Sequence, residues 1–270
     1  QQRIGGFFRD RPPDALGPSP NAPSAPATAT VAASAAERQL LAPTGKLRVG
    51  VYLGSPTSLV RDASGQARGV SVEIGQALAQ RLGVPYEQVE FARLALVLEA
   101  LKAGQVDFTV TNATPARAVD MNFTPPLVLL ELGYLALPNS RVQAIADVDQ
   151  PGIRIGVSQG STSQATLSRS YKNAAVVPAP SLKVAGDMLK AGQIDAFATN
   201  KGILFEMADG LPGARVLPGN WGLEQLAIAI PKGREPAMEL VRRFADQVKA
   251  DGSVQRAAER AGLRGTAPAR

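Results

Sequence analysis

The chain has 270 residues, 45% of them hydrophobic and 19% charged, and its mean hydropathy is near zero. That length allows one large domain or two medium ones, and the composition is typical of a globular protein. Cysteine and histidine are both absent, which excludes a disulfide framework, thiolate metal sites and a histidine catalytic base. No apolar stretch approaches the ~18 residues that a helix needs to cross a bilayer.

The formal net charge is +6, which raises the question of a nucleic-acid partner. The basic residues are scattered singly along the chain, without a basic helix face or interleaved aromatic residues. This distribution predicts no nucleic-acid binding, and it indicates solubility and a weak attraction to an anionic membrane face.

Residues 1–44 are rich in Pro, Ala and Ser, and this composition predicts a flexible tail that cannot bury a core. The run "ATATVAASA" resembles the small-residue end of a signal peptide, but no strongly apolar segment precedes it. We therefore expect that a signal was removed or lies outside this sequence.

The first half then alternates strand and helix patterns. "GKLRVGVYL", "VEFARL" and "VDFTVT" are predicted strands, and "VSVEIGQALAQRLG" and "LALVLEALKAG" are predicted helices that end at Gly83 and Gly104. This β-α-β-α-β order predicts an α/β fold with a parallel sheet and crossover helices.

Near residue 150 the pattern begins again. The predicted strands are "GIRIGVS", "AAVVPA" and "IDAFAT", with helices from about Gln164 and over "LKVAGDMLKAG". A helix "EPAMELVRRFADQVKADG" and a short "SVQRAAERAG" follow. Two apolar segments that end in proline, 133–138 and 226–231, are predicted crossings between the halves, and two crossings are typical of a hinge.

One twelve-residue segment occurs twice, as "LKAGQVDFTVTN" at 101–112 and "LKAGQIDAFATN" at 189–200, with eight identical positions. Each copy predicts a helix end, a glycine and a buried strand that stops at Thr-Asn. Ligands of open parallel sheets bind beyond the carboxyl ends of the strands. The repeat therefore places Asn112 and Asn200 at candidate binding edges, although asparagine also favours ordinary turns.

The segment after the first repeat predicts an anion site. Thr114 is a predicted N-cap and Pro115 the first helical residue, so Arg117 is the third. The helix dipole disfavours a cation there by roughly 0.3–1 kcal/mol, and a bound anion would reverse that sign. The alternative is a solvated surface arginine.

"SQGSTSQ" predicts a similar amide cluster, in which a turn at Gly160 precedes Ser161, Thr162 and a helix. An ordinary N-cap is the alternative, and one geometry serves both. The overlapping "GVSQG" matches the nucleophile elbow G-x-S-x-G, but without histidine Ser158 has no usual base. We interpret this match as chance.

These segments, taken in order from about 45 to 262, resemble the family 3 periplasmic solute-binding proteins, receptors of polar amino-acid ABC transporters. The resemblance implies an α/β, two-lobed periplasmic-binding-protein fold, each lobe a mostly parallel sheet flanked by helices, joined by two hinge strands. Lobe 1 would comprise 45–136 and 229–264, and lobe 2 would comprise 137–228. It also implies a periplasmic monomer that needs no cofactor or metal, binds a small carboxylate-bearing solute and delivers it to a membrane permease.

The family holds the solute carboxylate with an arginine at the position of Arg117. Its members that bind α-amino acids hold the ammonium with carboxylates, where this chain has Tyr52 and Asn200. Burying an ammonium without a carboxylate costs several kcal/mol. Either the solute is not a standard α-amino acid, or neutral acceptors hold its amine. The substrate-binding set implied is Tyr52, Ser55 in place of a stacking aromatic, Leu94 as an apolar wall, Asn112, Thr114, Arg117, Ser158, Ser161, Thr162 and Asn200.

Other function classes are a dehydratase-like enzyme on the same fold, a sensor domain and a regulatory effector-binding domain. Asn200 in place of an acid and the absence of histidine disfavour the enzyme. No kinase segment or helix-turn-helix pattern supports the other two. The sequence therefore predicts a non-catalytic receptor.

Overall fold

The computed structural model describes residues 32–269. Most of the predicted tail, residues 1–31, lies outside the described residues. The prediction is wrong for its carboxyl end, because Ala35–Leu41 forms a helix (α1) whose Leu41 is 1% exposed. Ser34 and Glu37 close a capping box at its start. The S-x-x-E pattern of a capping box is present in the sequence, but the composition of residues 1–44 does not reveal it.

The described chain divides into two compact units. Unit 1 comprises the residues up to Val128, Gln225–Leu263 and Ala269, and unit 2 comprises Leu129–Glu224 and Arg264–Pro268. The sequence places the corresponding boundaries at 136/137 and 228/229. The sequence contains no indication that residues 264–268 belong to unit 2.

Unit 1 is built on parallel strands. Strand β1 (Leu47–Tyr52) pairs with β4 (Tyr86–Phe91), so that Tyr52 lies beside Phe91. On its other side β1 meets the start of β5 (Thr109–Asn112) through a parallel bridge between Val49 and Phe108. β5 pairs in the antiparallel sense with β12 (Gly222–Pro231), which also pairs with β6 (Met121–Phe123), and β2 and β3 form a small hairpin (Val60–Arg61 and Ala67–Arg68).

The helices of unit 1 bury apolar faces. Val72, Ile74, Leu78 and Leu82 of one helix are almost fully buried, and Gly83 ends that helix in the left-handed conformation (φ 72°) that glycine favours. Such faces belong to α2 (Val70–Leu82), α3 (Leu94–Lys102), α8 (Met238–Ala250) and α9 (Ser253–Arg260), whereas α4 (Pro115–Ala118) has no buried residue. A 3-10 turn lies at Glu235–Ala237.

Unit 2 repeats the plan around β8 (Arg154–Ser158), which lies parallel to β9 (Ala175–Ala179) and β10 (Ala196–Asn200). β10 pairs in the antiparallel sense with β7 (Val128–Ala136), and β7 also pairs with β11 (Arg215–Val216) and β13 (Thr266–Pro268). The remaining elements are α5 (Thr162–Ser170), α6 (Leu182–Lys190), α7 (Lys201–Asp209), β11 (Arg215–Val216), β13 (Thr266–Pro268) and a 3-10 turn at Ile145–Asp147.

The predicted repeat is confirmed. Helices α3 and α6 end alike, Gly104 and Gly192 follow with positive φ, and the next strands end at Asn112 and Asn200. The predicted two-unit α/β architecture is confirmed, and it places these asparagines at the carboxyl ends of their strands.

Candidate functional site

Arg117 lies in the first turn of α4, directly after strand β5. Thr114 caps the helix, because its Oγ1 accepts the Arg117 backbone N–H at 3.1 Å, and Pro115 is the first helical residue. The Arg117 Nη1 group donates to the Asn112 carbonyl at 2.9 Å and to Thr111 Oγ1 at 3.1 Å. The predicted cap geometry is confirmed, and these two contacts hold the guanidinium against the end of the strand.

Asn112 is tied to the neighbouring strand. Its Oδ1 accepts the backbone N–H of Gln225 at 2.9 Å, and its own carbonyl receives Arg117. The side-chain amide nitrogen can only donate. Asn112 can therefore donate through its nitrogen and accept a second hydrogen bond through its oxygen.

The other predicted residues of unit 1 lie at the same edge. Tyr52 ends β1, and its N–H donates to Ser58 Oγ at 2.9 Å. Ser55 Oγ lies 2.8 Å from Thr57 Oγ1, and Leu94 begins α3 with a half-buried side chain. Because β4, β1 and β5 run parallel, their carboxyl ends bring these residues and Arg117 to one side of the sheet.

In unit 2, Ser161 caps helix α5. Its Oγ accepts the Gln164 N–H at 3.1 Å, and the Gln164 side-chain oxygen accepts the Gly160 N–H at 2.7 Å. The Ser158 carbonyl accepts the Ser161 N–H at 3.1 Å, which closes the turn. The N-cap interpretation is therefore confirmed for Ser161, and the exposed Thr162 stands in the first helical turn.

Like Asn112, Asn200 ends a strand and uses its side-chain oxygen to accept a backbone N–H. Its Oδ1 accepts the Ile203 N–H at 3.0 Å and so caps helix α7. Glu131, on the neighbouring strand, lies 3.0 Å from the ammonium of Lys201. That carboxylate is therefore neutralised within unit 2.

Sequence reasoning missed one charged residue at the unit 1 edge. Arg93 is exposed, follows the end of β4 by two residues and is the N-cap of α3. The sequence does indicate this position, because Arg93 in "FARL" lies at the carboxyl end of a predicted strand, directly before a predicted helix. The segments 51–61, 91–98 and 111–119 that form this edge contain no aspartate or glutamate.

Residues 32–269 contain neither a metal-binding cluster nor a membrane-spanning helix. No group of three or more histidine, cysteine, aspartate or glutamate side chains there is arranged to hold a metal ion. Within the same range, every helix is too short or too polar to span a bilayer.

Comparison with known proteins adds a family and a fold. The family described as bacterial extracellular solute-binding proteins, family 3, matches residues 47–262. A glutamine-binding protein of Geobacillus stearothermophilus is 25% identical over 193 residues, which are 70% of this chain and 73% of the relative. Both units contribute to the family match.

Two solved structures are similar along most of their length. The solute receptor for L-cysteine of Neisseria gonorrhoeae shares 27% identity and a TM-score of 0.67, covering 84% of this chain and 92% of that one. An ancestral amino-acid-binding protein, a precursor of cyclohexadienyl dehydratase, shares 24% identity and a TM-score of 0.67, covering 84% and 98%. The fold predicted from the resemblance is confirmed.

Proposed function

Because this chain belongs to the bacterial extracellular solute-binding proteins of family 3, we propose that it is the periplasmic receptor of an ABC transporter for a small carboxylate-bearing solute. Its named relatives are binding proteins, and it is a binding protein rather than an enzyme. We further propose that it acts as a monomer, delivers its solute to a membrane permease and binds no nucleic acid.

The observation that carries this proposal is the setting of Arg117. A guanidinium is the side chain best suited to a carboxylate, since its planar fork donates two parallel hydrogen bonds. Thr111 and Asn112 hold it at the end of β5, beside the start of a capped helix. A bound carboxylate would offset the unfavourable charge of an arginine at this point of the helix.

The other predicted residues supply donors and walls in this proposal. In unit 2, the Thr162 hydroxyl and the first-turn amides of α5 are donors, with Ser158 and Ser161 shaping the turn. In unit 1, Leu94 provides an apolar surface, and Tyr52 and Ser55 provide hydroxyl groups.

The contacts of the two asparagines are compatible with both options for the solute amine. The side-chain oxygens of Asn112 and Asn200 each accept one backbone N–H group and keep a second lone pair. Each asparagine also retains an amide nitrogen that donates. We therefore propose either a solute without an α-ammonium group or an amine held by neutral acceptors.

The experiment that tests the carboxylate clamp begins with native mass spectrometry of protein purified without denaturation, which identifies a co-purified solute. Calorimetry with that solute then compares wild type with Arg117→Ala. We expect the variant to lose at least ~2 kcal/mol of binding free energy, the usual loss when one partner of a buried charged pair is truncated. Arg169→Ala, an exposed site in unit 2, removes the same charge as a control. Wild-type affinity in Arg117→Ala would exclude the clamp.

A further inference from the structure

We infer that residues Arg264–Pro268, which we call the C-terminal strap, form a latch that limits how far the two units can open about the hinge. The strap belongs to unit 2, whereas the preceding Leu263 belongs to unit 1. The chain therefore passes between the units here as well as at 128/129 and 224/225. This inference goes beyond the proposed function, because it concerns the movement of the units and not the chemistry of the solute.

The strap is held on unit 2 by backbone hydrogen bonds. The Gly265 carbonyl accepts the Glu131 N–H at 2.9 Å, and Thr266–Pro268 (β13) pairs with the same strand, β7. An extended segment that pairs with a sheet edge in this way gains its affinity from the main chain. Because β7 begins at Val128, the strap pairs with the strand that carries the crossing at 128/129.

Gly265 fits against helix α7 because it has no side chain. Its φ of 83° lies in the left-handed region, and a Cβ added to it would lie 2.5 Å from the Lys201 Cβ and 3.2 Å from the Gly202 nitrogen. Gly262 has a similar φ of 74°, but an added Cβ there would meet no described atom within 4 Å. Any larger residue at position 265 must therefore move the strap away from the first turn of α7.

Arg264 adds two side-chain contacts to the same helix. Its Nη2 group donates to Asp209 Oδ2 at 2.8 Å, and its guanidinium carbon lies 5.3 Å from the centre of the Phe205 ring. Ion pairs and cation–π contacts at exposed sites contribute little to stability. The β7 pairing and the close fit of Gly265 are therefore the main contacts that hold the strap.

The short chain between the two anchors sets the limit on opening. Leu263 is 9% exposed in unit 1, and its N–H donates to the Ala258 carbonyl at 2.9 Å. Gly265, two residues later, is fixed on unit 2, and a fully extended chain of two residues spans at most about 7 Å. An opening that moves these anchors farther apart must pull Gly265 away from Glu131. The strap therefore restrains the hinge as long as that hydrogen bond is made.

Double electron–electron resonance on the solute-free full chain tests the latch. The chain contains no cysteine, so Glu87→Cys in unit 1 and Arg169→Cys in unit 2 attach spin labels at two exposed sites. The same label pair is placed in a chain that ends at Leu263, in Gly265→Ala and in the matched control Gly262→Ala. We expect both strap variants to shift the distance distribution toward longer distances, and the control to leave it unchanged.

Hydrogen exchange shows whether the strap has left unit 2. The Glu131 N–H loses its acceptor in both strap variants, so its exchange should accelerate at least ~10-fold. A label pair within unit 2, Arg169→Cys with Lys183→Cys, separates opening of the hinge from loosening of unit 2, and its distances should not change.

Unchanged distances between the units in the chain that ends at Leu263 would overturn the latch. Equal broadening of the label pair within unit 2 would also overturn it, because the strap would then only stabilise unit 2. Neither result bears on the carboxylate clamp at Arg117, since the measurements are made without solute.

Discussion

The two copies of the repeat share a charged anchor that is built alike in unit 1 and unit 2. In unit 1 the Asp107 carboxylate accepts both the backbone N–H of Arg48 at 2.8 Å and its guanidinium. In unit 2 Asp195 accepts the backbone N–H of Arg154 at 2.8 Å and its guanidinium at 3.5 Å. The repeated aspartate thus joins the strand of each repeat to a parallel strand of the same unit, β1 in unit 1 and β8 in unit 2.

The second partner of each aspartate differs. The Asp107 side chain is fully buried, and Arg234, with a side chain 10% exposed, lies 2.7 Å from it. The second partner of Asp195 is Arg141, whose side chain is 56% exposed and lies 2.9 Å away. The same local motif therefore forms a buried network in unit 1 and a partly solvated one in unit 2. We therefore expect the two copies of this repeat to contribute different amounts to the free energy of unfolding.

The largest expected effect is a difference between matched substitutions of the two aspartates. Asp107→Asn leaves two arginines without their shared carboxylate in a buried site, so we expect a loss of ~3–5 kcal/mol in unfolding free energy. Asp195→Asn should cost only ~1–2 kcal/mol, because water can solvate Arg141 and Arg154. Urea unfolding at pH 7 measures both. Equal losses would contradict the comparison.

A smaller difference is expected between the second arginines. Arg234→Met removes one of two partners from buried Asp107, and we expect a loss of ~2 kcal/mol. Arg141→Met removes an exposed partner and should change stability by less than ~1 kcal/mol. Both variants keep an aliphatic side chain, so the thermal unfolding curves report the loss of each guanidinium and its hydrogen bonds, which include Arg234 to the Leu41 carbonyl and Arg141 to the Gly152 carbonyl. A greater loss in Arg141→Met would show that the surface network is the stronger one.

The sequence predicted what depends on local pattern. The alternation of the main strands and helices, the glycines that end helices and the Thr114 cap follow from residues close together in the chain, and these are confirmed. The partners of Asp107 could not be predicted in this way. Arg234 lies 127 residues away along the chain, and only the folded unit brings it to Asp107.

The candidate site was predicted in part for a related reason. Motif matching directed attention to Arg117, whereas Arg93 belongs to no recognised motif and becomes apparent only from the parallel order of β4, β1 and β5. Their positions in the repeat predict that the asparagines bind the solute, and this stays a prediction. The hydrogen bonds of their oxygens with the Gln225 and Ile203 backbone N–H groups could not be predicted in the same way, because the Gln225 partner is brought to Asn112 only by the fold.

The unit 2 anchor should also respond to pH. Burial raises the pKa of the Asp195 carboxyl, but hydrogen bonds from Arg141 and Arg154 outweigh this, so its pKa lies below the ordinary value. A folded-state pKa below the unfolded value of about 3.9 stabilises the fold above that pH, and the contribution disappears as pH falls through the folded pKa. The stability difference between wild type and Asp195→Asn should therefore be full at about pH 5–7 and shrink toward about pH 2. A difference independent of pH would exclude this charge coupling.

The smallest expected effect concerns the helix cap at Asn200. Asn200→Ala removes the cap on α7 and should cost ~1 kcal/mol, whereas Asn200→Asp keeps a capping oxygen and should stay within ~0.5 kcal/mol of wild type. Thermal unfolding of the two variants and wild type at pH 7 measures both changes. Equal losses in the two variants would show that the capping oxygen does not stabilise α7, and that the cost comes from another property of the asparagine side chain.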